Sequence, residues 1–262
     1  MSRSSYQVAG ASLVGRSHAA EQTPCQDAFG HTRKADMAAV ALADGAGSRA
    51  QSQHGANAVV NTMLRLLRKD FDALYAMCAH DTAVARQFIY ERLMRSLRHR
   101  ARRLGCEVNA LASTLLFAAH KGDRFLAGHL GDGVIAQVGA DGTASTLSHP
   151  ENGEYANTTY FVTDPGAQDR IRLYHSAKPS QVTGFALMSD GCAESLYQKR
   201  SGACGSAVGR LVAWNRDLKR SEIASALAAN MAQVFTKNSV DDCALVVLSV
   251  PQAAPLSDPP VS

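Results

Sequence analysis

Three apolar runs in this chain close on the same dipeptide. Val40-Ala-Leu-Ala-Asp44-Gly45, Gly128-His-Leu-Gly-Asp132-Gly133 and Ala186-Leu-Met-Ser-Asp190-Gly191 each end in Asp-Gly. A fourth acidic position, the pair Asp241-Asp242, opens the apolar run Cys243-Ala-Leu-Val-Val-Leu-Ser-Val250. Any one Asp-Gly alone is an ordinary turn. Three of them behind strand-like runs, with an acid pair before a fourth, read as a site, because strand ends can converge on one edge of a sheet. Two carboxylates about 4 Å apart repel by roughly 4 kcal/mol at an effective dielectric near 20. Such a cluster needs cations or retained protons. Oxygen ligands without His or Cys favour Mg²⁺ or Mn²⁺ over Zn²⁺. Glycine after the aspartate permits close backbone approach and can offer its carbonyl to a metal.

The elements that must position these acids follow from the apolar pattern. Residues 6–14 and 37–43 read as strands, the second apolar on both faces as in a central strand. Residues 52 to 68 predict a helix with Val59, Met63, Leu66 and Leu67 at helical spacing. A second helix is expected from Thr82 to Leu104, with Val84, Phe88, Leu93, Leu97, Ala101 and Leu104 as its apolar stripe. Its other face carries Arg92, Arg95, Arg98, His99, Arg102 and Arg103. That face is read as solvated, with an acidic partner or nucleic acid as the other readings. Ser113–His120 and Asp123–Leu130 predict a hairpin around Lys121-Gly122, followed by a strand over Val134–Val138 and a turn at Asp141-Gly142. Residues 148–182 read as a polar surface excursion, a flap over a site. Strands over Gly184–Ser189 and Cys243–Val250 enclose helices at about 203–217 and 221–236.

The bulk numbers bound the classes. The chain has 262 residues, 46% hydrophobic and 19% charged, so a sizeable core is within reach. A net charge of +4 does not by itself argue for nucleic acid. The six cysteines, at 25, 78, 106, 192, 204 and 243, form no CxxC pair and no zinc-type cluster with histidine. They fit scattered thiols in a reducing cytoplasm. Residues 1–15 lack a secretory apolar core and no apolar run approaches 18 residues, so a cytoplasmic chain without a membrane span is expected. One domain over residues 1–250 and a Pro-rich, disordered tail over 251–262 are expected.

Taken in order, Pro24-Cys25-Gln26-Asp27, ALADGAGS, SQHGANAVV, LASTLLFAAH, GHLGDG, ALMSDGCAESL and DDCALVVLSV resemble the bacterial branch of the PP2C (PPM) family of metal-dependent serine/threonine protein phosphatases. The pieces span residues 24 to 248, and their order is more specific than any one of them. Gly153–Thr163 also resembles a stretch of that branch. The resemblance implies an α+β fold, a β-sandwich of two antiparallel sheets flanked by antiparallel helix pairs in α/β/β/α layers, with a two-metal site at one end. It further implies that Asp44 bridges two Mn²⁺ or Mg²⁺ ions and Gly45 offers its carbonyl. Asp190 and Asp241 would hold the first ion, Asp27 a water on the metal, and Asp132 with Asp190 a third, weaker ion.

Departures from the family pattern set further expectations. Gln26 stands where the family commonly has Glu, so the second ion is expected to bind more weakly. Gln22 stands where an Arg often binds the substrate phosphate, leaving Arg16, His18 or Arg33 as substitutes. Ala46 replaces the His that follows Asp-Gly in some members, so leaving-group protonation falls to water on the metal or to His18. Asp242 falls where Asn is usual. The implied activity is hydrolysis of phosphoserine and phosphothreonine in proteins by a metal-activated water. The alternative is a catalytically silent module of the same fold that binds phosphoprotein. Cys25 and Cys192 are read as packing residues rather than nucleophiles. The implied partners are a phosphoprotein substrate and a cognate Ser/Thr kinase, sometimes beside a von Willebrand A-type protein. Neither a membrane nor nucleic acid is the expected partner.

Overall fold

A computed structural model describes residues 5–151, 159–177, 182–218, 220–235 and 239–251. In chain order the elements are β1 (Gln7–Leu13), α1 (Arg16–Ala20), β2 (Ala28–Lys34), β3 (Met37–Ala43), α2 (Ser52–His80), α3 (Thr82–Leu104), β4 (Leu115–Lys121), β5 (Arg124–Leu130), β6 (Val134–Gly139) and β7 (Ala144–Ser148). They continue with α4 (Ala167–Arg170), β8 (Arg172–Ser176), β9 (Val182–Met188), α5 (Asp190–Leu196), β10 (Tyr197–Gln198), β11 (Ala203–Cys204), α6 (Ser206–Asp217), α7 (Arg220–Asn230) and β12 (Cys243–Ser249).

Two five-stranded sheets form, ordered β1-β12-β9-β6-β7 and β2-β3-β4-β5-β8, with every pairing antiparallel. They are the expected sandwich. The pleat of β3 shows how its sequence builds two cores at once. Ala38, Val40 and Leu42 point between the sheets, against Phe185, Leu187, Val246 and Leu248. Met37, Ala39, Ala41 and Ala43 point the other way, under α2 and α3. A strand buried on both faces must be apolar or have its polar groups paired: β3 is apolar throughout, and β12 carries only a terminal Ser249, whose hydroxyl donates to the Val212 carbonyl at 2.8 Å. On the far side α6 and α7 cover the other sheet through Val208, Val212 and Leu227, completing the α/β/β/α layers.

The helix boundaries have local causes. The side chain of Asp81 accepts the Ala83 N–H at 2.8 Å and caps α3. Gly105, at φ 65°, closes it in the left-handed conformation. Gly55 lets α2 lie against the backbone of Leu111, because a Cβ there would stand 1.9 Å from the Leu111 carbonyl oxygen.

Several expectations need correction. α2 runs to His80 rather than stopping near 68, turning through a non-helical Asp70 (φ −125°, ψ 23°) and burying Phe71, Leu74 and Cys78 beyond it. The buried stripe of α3 is Ala85, Ile89, Leu93, Leu97 and Ala101, whereas Val84 is 54% exposed and Leu104 37% exposed. β2 was not expected as a strand. The 148–182 excursion contains the short α4 and an edge strand, β8, paired with β5. Within it, residues 152–158 and 178–181 lie outside the described residues, as do 236–238 and 252–262, the last holding almost all of the expected tail. All six cysteines are free. No described helix is long and apolar enough to cross a membrane.

Candidate metal centre

The predicted acids arrive at one end of the sandwich from four strand termini. Asp44 follows β3 and is clamped to the start of β4. Its N–H donates to Thr114 Oγ1 at 2.8 Å, its carbonyl accepts the Thr114 N–H at 2.8 Å, and the Ala46 N–H donates to the Ala112 carbonyl at 3.0 Å. Asp132 sits in the turn between β5 and β6 and accepts a short hydrogen bond from Thr159 Oγ1. Asp190 is the first residue of α5, and its Oδ1 accepts the Gly191 N–H at 2.6 Å. Asp241 precedes β12, and its Oδ1 accepts the Asp242 N–H at 2.8 Å. Ser189 ties the β9 and β12 ends together, donating its N–H to the Ala244 carbonyl at 3.0 Å and accepting the Ala244 N–H at 2.8 Å on Oγ. A Cβ on Gly191 would meet the Asp242 carbonyl oxygen at 2.2 Å, so glycine after Asp190 is what lets the two acidic segments touch.

The electrostatics confirm the convergence. Burial, then the charges of Asp27, Asp190, Asp132 and Asp241, hold the Asp44 carboxyl well above the usual range. Asp27 is raised by burial and by the charges of Asp190 and Asp242. Asp190 is pushed up to about 6 by burial and then by Asp132 and Asp241. Asp132 is raised by burial and Asp241, partly offset by Thr159 and by the positive charge of Lys199. Six acids, Asp27, Asp44, Asp132, Asp190, Asp241 and Asp242, thus share one field. A cavity of about 410 Å³ opens on them, lined by Asp44 to Ser48, Thr114, Asp132, Thr159, Phe161 and Asp241.

The donor set fits hard divalent cations. Both carboxylate oxygens of Asp27, Gln26 Oε1, Ser52 Oγ and Ser113 Oγ are buried without a hydrogen-bond partner. Three of these residues neighbour Gly45: a Cβ there would stand 2.8 Å from the Gln26 backbone carbonyl oxygen and 3.0 Å from Ser52 Cβ, and Ser113 is its bridge partner. Among the described residues the Gly45 carbonyl accepts no hydrogen bond. No three His, Cys, Asp or Glu side chains among the described residues are already arranged around one ion position.

Other assignments sort themselves by position. His18, in α1, has Nδ1 3.0 Å from Asp242 Oδ2, an ion-pair distance without hydrogen-bond alignment. Its Nε2 faces Gly47 of the cavity lining, 3.9 Å from where a Cβ would stand. Asp242 is a tether: Oδ1 accepts the Gly15 N–H at 2.7 Å and Oδ2 the Gln26 N–H at 2.6 Å. This explains Asp where Asn is usual, because two N–H groups need two acceptor oxygens. Arg33 is removed as a phosphate ligand. It pairs with Ala38 at the far end of the β2–β3 hairpin and donates to the Tyr6 carbonyl at 3.0 Å. Five strand residues, about 17 Å, separate it from the Asp44 end. Arg16 stays near the site, beside Gly15, whose Cβ would meet the Asp241 backbone at 2.3 Å. Reading the residues alone missed Thr114, Thr159, Ser189 and Lys199. Thr114 and Ser189 sit inside the quoted motifs, but nothing local marks Lys199. Burial pushes the Cys25 thiol up to about 12 and Cys192 well above the usual range, so neither is a ready thiolate.

This fold and acidic site define a phosphatase of the metal-dependent type. The protein phosphatase 2C pattern matches residues 14–232, and the chain belongs to that family; it is a protein-serine/threonine phosphatase of the bacterial kind. It is 29% identical over 192 residues to serine/threonine-protein phosphatase 3 of Escherichia coli K12, covering 71% of this chain and 74% of that protein. Its fold is similar to that of the catalytic domain of the phosphatase PstP in complex with 2 manganese ions (TM-score 0.62, 15% identity, 95% of this chain and 99% of that one). It is also similar to phosphatase Stp1 of Staphylococcus aureus (TM-score 0.62, 14% identity, 93% and 94%).

Proposed function

We infer that the chain hydrolyses phosphoserine and phosphothreonine in proteins using divalent cations held by Asp44, Asp190, Asp241 and the Gly45 carbonyl, with Asp132 toward a third, weaker ion. The observation that carries this reading is the convergence of Asp44, Asp132 and Asp241 on one cavity, with Asp27 buried close by. Manganese in the PstP structure supports the choice of metal. When bound, the cations supply an activated water and charge compensation for the phosphoryl oxygens.

The chain's own residues do the rest. Asp27 and Gln26, with unpartnered buried oxygens, orient water on the inner side of the cluster. His18, with Nδ1 beside Asp242, presents Nε2 toward Gly47 of the cavity lining as the donor for the departing serine or threonine oxygen. Lys199 and Arg16 offer positive charge at the rim to the incoming phosphate. The protein works in the cytoplasm opposite a Ser/Thr kinase. The test is hydrolysis of p-nitrophenyl phosphate and of a phosphothreonine peptide: activity with Mn²⁺ or Mg²⁺, none in EDTA, and recovery on adding metal. Undiminished turnover in EDTA would refute the reading.

A further inference from the structure

A second concavity lies apart from the acidic cavity, on the outward side of α2 and α3. One stretch, about 760 Å³, is lined by Arg65 and Lys69 of α2 and by Arg92, Arg95, His99 and Arg102 of α3. The adjoining stretch, about 460 Å³, adds His54, Asn57, Asn61, Arg100 and Arg103. The register of each helix accounts for this. Positions 61, 65 and 69 recur every four residues on α2, and 92, 95, 99 and 102 recur every three or four on α3, so each set forms one row. Ala85, Ile89, Leu93 and Leu97 occupy the opposite face of α3 and are buried, which turns the basic row outward.

Seven Arg and Lys side chains thus line the two stretches, more positive charge than the chain's net +4, and Asp70 is the only acid in the lining. Among the described residues none of the seven has a carboxylate within ion-pair distance. Some basic side chains elsewhere are matched, as Lys121 and Arg124 are by Asp72, and Arg172 by Glu151. Seven uncompensated cations in one groove repel one another, and an anionic occupant relieves that repulsion.

We propose that this groove is the docking site for an acidic, extended segment of the phosphoprotein substrate, flanking the phosphorylated residue; the proposal rests on the phosphatase reading above. Its position favours a substrate segment. The groove begins at His54, two residues after Ser52, which packs against Gly45 of the acidic site. From Ser52 to Lys69 α2 advances about 25 Å at 1.5 Å per residue. An extended peptide spans that with about eight residues. Asp and Glu within about eight residues of the phosphorylated position would therefore lie against the arginines. The groove also offsets the repulsion that an acidic substrate meets at the carboxylate cavity. Its lining has no Phe, Tyr or Trp on which the bases of a single strand could stack. A concave groove between helices also offers no protruding element to enter a duplex.

The experiment compares two phosphothreonine peptides, one with Asp/Glu and one with Ser/Gly in the flanking eight residues, on the full chain with Mn²⁺. The expected kcat/KM preference for the acidic peptide is about tenfold at low salt, shrinking as ionic strength rises. Arg95→Glu with Arg102→Glu removes the preference and leaves p-nitrophenyl phosphate turnover unchanged; Arg95→Gln with Arg102→Gln removes it in part. Equal kcat/KM for the two peptides on the wild type, or a preference that survives both double variants, overturns the proposal. If nothing is hydrolysed, the phosphatase reading has failed on its own. Fluorescence anisotropy with a labelled, unphosphorylated acidic peptide still tests the groove: salt-sensitive binding lost in Arg95→Glu/Arg102→Glu supports it, and no binding overturns it. Preferential binding of a single-stranded oligonucleotide over that peptide assigns the groove to nucleic acid and also overturns it.

Discussion

Replacing Asp190 by asparagine should move activity and metal-free stability in opposite directions. The carboxyl is raised from 3.8 to about 6 by burial and by Asp132 and Asp241. At neutral pH its ionised form therefore carries about 3 kcal/mol of unfavourable interaction in the folded chain without metal. Asparagine removes the charge and keeps an oxygen for the Gly191 N–H, at 2.6 Å from Oδ1. The amide must still be desolvated, so about half of that figure is expected as a gain, or roughly 3–6 °C in Tm for a chain of this size. The sign of the pH dependence follows. A folded pKa above the unfolded value means that the contribution is present below pH about 4 and lost as pH rises through about 6. In EDTA the wild type should melt higher at pH 5 than at pH 7, and Asp190→Asn should show a smaller difference. With Mn²⁺ the order reverses: the wild type gains Tm from ion binding, the variant gains less, and its aryl phosphate turnover falls by more than about 100-fold. Thermal melts in EDTA and in a Mn²⁺ series, with turnover beside them, check all three outcomes. An Asp190→Asn chain that melts below the wild type in EDTA at pH 7.5 would refute the claim that these carboxylates strain one another.

Three further outcomes are expected. Asp242→Asn leaves one of the Gly15 and Gln26 N–H groups without an acceptor, costing about 1–3 kcal/mol, read as a Tm loss of roughly 2–12 °C; an unchanged Tm would show that the tether is not needed. His18→Asn should lower kcat far more for a phosphothreonine peptide than for p-nitrophenyl phosphate, whose leaving group needs no proton, and equal losses would remove His18 as the acid. Gly55→Ala should destabilise the fold by several kcal/mol, because its Cβ would sit 1.9 Å from the Leu111 carbonyl oxygen and helix α2 would have to move; chemical denaturation measures this.

How far the chain could be read in advance depended on where the information lay. The Asp-Gly pairs were legible because each ends a strand run that is buried on both faces and mostly apolar, so an aspartate there stands out. Helix α3 was legible from end to end, since Asp81 and Gly105 punctuate it locally. Strand β2 was not, because Phe29, Gly30, His31 and Thr32 are all only half-buried and show no alternation. Edge strand β8 was hidden for the same reason, and α2 outran its expected end because its apolar face continues past the turn at Asp70.

The sequence by itself determined which atoms this protein can offer: oxygen donors at strand ends, no ready thiol nucleophile, and a helix basic along one face. Only the tertiary structure decided which of them meet. It put Arg33 at the wrong end of a hairpin, used both oxygens of Asp242 as a backbone tether, brought Lys199 within reach of Asp132, and left the α2 and α3 arginines without carboxylate partners among the described residues. The reason is physical. Residue type and spacing set local conformation and charge, whereas repulsion, desolvation and hydrogen-bond satisfaction depend on through-space neighbours supplied by segments more than two hundred residues away, as Asp242 is from Gln26.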